Sequence, residues 1–147
     1  MKNLLAVSLL ALLTGCASPG KSDHDIYTEA LNAHASRLPA GENSVEFISV
    51  KIVSHGMLPD RLAIAADGGA NAEKLQEALL QAKASGMSSF LIIGSGTDLD
   101  LAVIKGACDE QDLSGMTIYY AGNAARRNAV ETEVRKAQAA FHFISAI

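Results

Sequence analysis

Apolar and polar positions change regime several times along this chain. From Leu4 to Leu13 almost every residue is apolar. That run of about ten residues is half of what a membrane-spanning helix needs. Residues 17–25, Ala-Ser-Pro-Gly-Lys-Ser-Asp-His-Asp, are small and polar and read as a flexible tether. Ile26, Ala30, Ala33 and Arg37 then recur at helical spacing and predict a helix over 26–38, capped by Asp23 or Asp25 and ended by Pro39-Ala40-Gly41.

Next the period drops to two. Val45, Phe47, Ser49, Lys51 and Val53 alternate with Glu46, Ile48, Val50, Ile52 and Ser54, which predicts a strand covered in part on both faces. His55 to Asp60 reads as a turn, and Arg61 to Ala66 as a second strand, although Leu62 to Ala66 equally fits the start of a helix. Beyond a turn at Asp67-Gly68-Gly69-Ala70-Asn71, the spacing of Leu75, Ala78, Leu79 and Ala82 predicts a helix over 72–85, stopped by Gly86. Ser89 to Ile93 is a short apolar strand. Gly94-Ser95-Gly96 follows, with Thr97 or Asp98 capping a helix through Cys108. Met116 to Ala121 is a further strand, and 124–140 a further helix on Val130, Val134, Ala137 and Phe141. The weakly alternating residues 141–147 make a final edge strand.

Strands alternating with helices of this length indicate βαβ units. The expected fold is therefore one small α/β domain in two or three layers, its mixed, mainly parallel sheet packed with helices. Right-handed crossovers would bring the loops after Ala66, Ile93 and Ala121 to one edge of that sheet.

The N-terminus carries a resemblance. Lys2 ahead of the apolar run has the layout of a secretory signal. Leu13-Thr14-Gly15-Cys16 at its end resembles the lipobox of bacterial lipoproteins. The resemblance implies cleavage between Gly15 and Cys16, a diacylglycerol on the Cys16 sulfur and usually a third acyl chain on its amine. Two chains suffice for stable anchoring at about 0.8 kcal/mol per buried methylene. The chain then divides into a signal peptide (1–15), a lipidated N-terminus and tether (16–25) and one domain (26–147). Because Ala17, not aspartate, follows the cysteine, the resemblance implies the outer membrane, with the domain facing the periplasm. In a single-membrane cell the same anchor would sit on the plasma membrane.

Composition narrows the partners. A net charge of −4 gives no electrostatic reason to bind nucleic acid. Tryptophan is absent, which argues against a sugar- or base-stacking platform. Cys108 is the one cysteine besides Cys16, so the mature domain has no internal disulfide; on an apolar helix face it reads as a core residue.

Candidate chemistry gathers at the strand ends: Asp67, Gly68 and Gly69; Gly94, Ser95, Gly96 and Thr97; Asn123 with Arg126 and Arg127. Ligands of open α/β sheets bind at this edge, and amides at a helix N-terminus suit an anion. Yet Gly94-Ser95-Gly96 lacks the third glycine of a dinucleotide fingerprint, and no lysine makes it a triphosphate loop. Asp98 and Asp100 would repel phosphate. Ser95 lies outside a Gly-x-Ser-x-Gly elbow, so a triad with His55 or His142 and Asp67 has no support from spacing. His24, His34, His55 and His142 are too scattered to pair on a metal. Asp109 to Asp112 reads as a solvated loop, without a glycosidase-like carboxylate pair.

The expectation is a non-catalytic envelope lipoprotein without cofactor or metal, an assembly accessory of a secretion, pilus or conjugation machine, held by its lipid and by an envelope protein partner. Two alternatives stay open. One is a small-ligand or anion binder or enzyme using the glycine-rich loops. The other is a peptidoglycan-associated lipoprotein, by fold analogy alone, since the Asn-x-x-Leu-Ser-x-x-Arg stretch of that family is missing.

Overall fold

The computed structural model describes residues 20–41 and 47–147. The expected signal peptide, Cys16 and the first part of the expected Val45–Val53 strand lie outside the described residues. The chain runs α1 (Asp23–Ala35), β1 (Ile48–Lys51), α2 (Met57–Ala65), α3 (Gly69–Ala84), β2 (Ser89–Ile93), α4 (Leu99–Cys108), β3 (Thr117–Gly122), a 3-10 turn (Ala124–Arg126), α5 (Arg127–Lys136) and β4 (Ala140–Ser145). The strands form one sheet in the order β1-β2-β3-β4, and every pairing is parallel. The expected α/β domain is present, with a sheet that is wholly rather than mainly parallel.

That order has a consequence for the layers. Each strand is added on the same side of the one before, so right-handed crossovers put every connecting helix on one face. Leu75, Leu79 and Ala82 of α3, Leu99, Val103 and Ile104 of α4, and Val130 and Val134 of α5 accordingly share a core with Phe90, Ile92, Ile118 and Tyr120. Alternation along the strands sends Leu91, Ile93, Tyr119, Ala121 and Ile144 to the opposite face, where Ile26 and Ala30 of α1 cover them. The order never reverses, so the sheet lacks the switch point at which open α/β sheets form their ligand crevice.

Four expectations change. Residues 61–66 are not a strand: they belong to α2, which starts at Met57 inside the expected turn, with Pro59 in its first turn, where the amide has no helical acceptor to lose. The turn at Asp67-Gly68-Gly69 therefore joins two helices instead of ending a strand. The first helix begins at Asp23, within the expected tether. Its cap is Ser22, whose Oγ accepts from Asp25 N–H at 3.1 Å while the Asp25 carboxylate accepts from Ser22 N–H, a reciprocal capping box. The last helix stops at Lys136, because Gln138 takes a left-handed conformation (φ 66°) that turns the chain into β4.

Helix α2 buries none of its residues. Apart from Leu80 of α3, every large exposed hydrophobic among the described residues belongs to α2, to the segment leading into it, or is Ile147 beyond β4; Met57, Leu58 and Leu62 are 72%, 70% and 65% exposed.

Candidate functional site

The loop after β2 is organised from beneath by a carboxylate. Asp100, in the first turn of α4, has no solvent-exposed surface. Its Oδ1 accepts from Ser95 N–H at 2.7 Å and from Ser95 Oγ at 2.6 Å; its Oδ2 accepts from Gly96 N–H at 3.1 Å and from the Tyr120 hydroxyl at 2.8 Å. Burial, and then the Asp100 charge, push the Tyr120 phenol well above its ordinary range, so the hydroxyl keeps its proton and donates. A Cβ on Gly94 would overlap Asp100 Oδ2, which is why that position holds glycine. Gly96 has open space but a φ of 80°, which glycine adopts without strain.

The two amides that make a Gly-x-Gly loop attractive to an anion are thus already given to an internal one. Ser95 Oγ also lies 2.8 Å from Thr97 Oγ1, and Thr97 Oγ1 accepts from Leu99 N–H at 3.3 Å. Capping at this end falls to Thr97, since the Asp98 side chain makes no cap bond and instead pairs with Arg126.

Two cations near the edge, Lys105 and Arg126, are engaged as well. Asp67, Asp98 and Arg126 come together with Ile64, Leu101, Ala102 and Lys105 around a groove of about 410 Å³. Within it Lys105 pairs with Asp67 at 2.9 Å and Arg126 with Asp98, so its charges cancel locally. The bond to Asp67 and its charge raise the Lys105 pKa. Asn123 caps the 3-10 turn by accepting from Ala125 N–H at 2.9 Å. Arg127 lies over the Phe143 ring, 5.6 Å from its centroid. Gly68 (φ 91°) and Gly106 permit a close crossing: a Cβ on Gly68 would meet the Val103 backbone, and one on Gly106 the Asp67 carbonyl. Gly69 (φ 53°) completes the turn between α2 and α3.

Asp67, His142 and Ser95 do not come together as a triad. Asp67 is bonded to Lys105 beside α4, whereas His142 is bonded to Arg37 on the α1 side of the sheet, and the Ser95 hydroxyl has Asp100 and Thr97 as its partners. Among the described residues no group of three or more His, Cys, Asp or Glu is arranged to hold a metal ion. Burial pushes the Cys108 thiol up to about 12, which keeps the thiolate out of reach at neutral pH. Asp112 in the acidic loop is exposed, and bonds to Ser114 and Lys83 hold its carboxyl down at about 2.

A polar cluster beneath α1 is invisible in the one-dimensional pattern. His34 Nδ1 lies 3.0 Å from the Tyr119 hydroxyl, and Phe47 and His142 pack against the same ring. Arg37 approaches His142 Nδ1 at 2.8 Å. A guanidinium only donates, so Nδ1 is the acceptor and the His142 ring is neutral. Burial, followed by the Arg37 charge, lowers the pKa of both histidines. His142 is therefore half-buried in this cluster rather than turned to solvent, as an edge segment implied. Strand alternation could have placed Tyr119 opposite Tyr120, but only the fold brings His34 to it.

Among the described residues no helix is long and apolar enough to cross a membrane. Comparison with protein-family models, with curated proteins and with solved structures finds no match to this chain.

Proposed function

We propose that this chain is a lipid-anchored envelope protein whose domain serves as a non-catalytic assembly accessory of a secretion, pilus or conjugation machine. The observation that carries the reading is Leu13-Thr14-Gly15-Cys16, which resembles a lipobox and stands just ahead of a domain that begins at once, with the Ser22 capping box and a bond from Lys21 N–H to the Ala146 carbonyl at 2.8 Å. An anchor so close to a folded body suits a part held at a membrane surface. The closed strand-end loop supports the non-catalytic half, since its two amides, its hydroxyl, Lys105 and Arg126 already have partners within the domain. Strands β1 and β4 stand at the two sheet edges, where a partner's strand can add.

Mass spectrometry of the protein from a cell envelope tests the anchor: the expected species begins at an acylated Cys16. Met1 still in place, with a bare Cys16 sulfur, would sink the reading. In-cell crosslinking tests the accessory role, with an outer-membrane assembly component as the expected product.

The alternative of a small-ligand or anion binder loses its best support to Asp100, which holds the amides that such a ligand would need. No contact within the domain favours peptidoglycan.

A further inference from the structure

We propose that the exposed apolar face of α2 is a second membrane contact, lying in the headgroup–acyl boundary of the leaflet that holds the Cys16 lipid. This rests on the anchor reading above, and the geometry follows from where the chain emerges.

Lys21 is bonded to Ala146 just past the end of β4, which fixes the chain's start at the edge formed by the strand C-termini. Cys16 lies four residues before Gly20, so its Cα can be at most about 14 Å from that of Gly20 even with the chain fully extended. Lys21, Val53 and Ser54 line one hollow of this edge, and Ser54 lines the next with Met57, Arg61 and Ile64. Helix α2 thus begins near Lys21, close to where the described chain starts. A lipid on Cys16 would bring this edge of the domain toward the bilayer.

The chemistry of α2 fits that position. Met57, Leu58 and Leu62 project into solvent, and no other element covers them among the described residues. Val53 and Ile147, 50% and 75% exposed, extend the apolar rim of the same edge. The carboxylates nearby are occupied: Asp60 accepts from Ser54 Oγ and His55 N–H, and Asp98 pairs with Arg126. Arg61 has no ion-pair partner among the described residues and can reach a lipid phosphate. Amphipathic helices carrying cations rest in this boundary, and a second contact adds to an acyl anchor as an independent attachment.

The chain has no tryptophan, so one introduced residue is a clean reporter. Leu58→Trp replaces an exposed side chain on α2, and Leu80→Trp does the same on α3, near the opposite edge. Each full-length protein is purified in its processed form, its N-terminal mass is checked, and it is reconstituted into vesicles of phosphatidylethanolamine and phosphatidylglycerol with or without brominated acyl chains. The expected result is a blue-shifted emission, quenched by bromine, for Leu58→Trp but not for Leu80→Trp. An acylated protein whose Leu58→Trp emission stays unshifted and unquenched overturns the membrane contact and leaves the anchor standing. Emission that is blue-shifted but untouched by bromine overturns it in favour of a protein surface, a second copy or a partner, on α2. A bare Cys16 overturns the anchor and this contact together.

Discussion

The Tyr120 hydroxyl reaches across the core from β3 to Asp100 Oδ2 at 2.8 Å, and the same carboxylate holds both amides of the Ser95-Gly96 turn. A buried acceptor with several donors is costly to remove, because each donor is left without water or protein. Asp100→Ala is expected to lower stability by about 3 kcal/mol, and Tyr120→Phe by about 1 kcal/mol. Urea unfolding of the two single variants and the double variant checks this. A double-variant loss equal to the sum of the singles would mean that the pair does not act as a unit.

The two glycines of this loop separate sterics from backbone strain. Gly94→Ala drives a methyl into Asp100 Oδ2 and costs about 2 kcal/mol. Gly96→Ala meets no atom but must hold φ at 80°, at about 1 kcal/mol. Thermal unfolding is expected to rank Gly94→Ala as the less stable. The reverse order would mean that the loop moves aside freely.

Acid is expected to weaken the α1 face before it reaches any carboxylate. The His34 and His142 pKa values lie below the ordinary imidazole value of about 6.5, so below that pH the unfolded chain binds protons that the folded domain does not. Stability is therefore full above about 6.5 and falls as the pH drops from there toward the lower folded values. Facing these rings are Arg37, Glu29, Arg127 and the Tyr119 phenol, itself raised by burial. Urea midpoints between pH 7 and 5 are expected to decline, and His34→Gln to flatten the decline. An unchanged slope in that variant would move the effect to His142.

Cys108 offers a readout of opening. With its thiol buried at about 12, the native domain is expected to resist alkylation at pH 8 and to react in proportion to the unfolded fraction in urea. Rapid labelling without denaturant would place this sulfur at the surface.

Much of the architecture is legible in the order of residues, and the exceptions are physical. The spacing of Ser89 to Ile93 and of Leu99 to Cys108 matches the observed elements because both are core, where period and burial agree. Helix α2 was legible only as an alternative to a strand over Leu62 to Ala66, because its apolar side faces outward and lacks the one-sided burial that marks a helix in the sequence. The end of α5 was hidden because Gln138, and not glycine, takes the left-handed turn. Ser22 was lost in a polar stretch that looked like tether. At the candidate site, Gly94, Ser95 and Gly96 were recognisable as a loop with a purpose, but that purpose was inward. A carboxylate at a helix start reads as a solvated partner of the dipole, and only the packing of Tyr120 over Asp100 reveals it as an internal ligand. The His34–Tyr119–His142 cluster joins three elements distant in sequence, which no local pattern encodes.

The seating of α1 also decides how the domain would take a mechanical load. Traction arriving from the N-terminal side first meets the Lys21–Ala146 bond and the Lys51–Asp23 ion pair, which fasten the start of α1 to the ends of β4 and β1. Those attachments sit at the leading end of α1, so they part before its contacts with the sheet, across which the connecting helices lie. Under the anchoring proposed above, a pull on the N-terminus would lift α1 from Tyr119 and Ile144 before it loads the core on the other face.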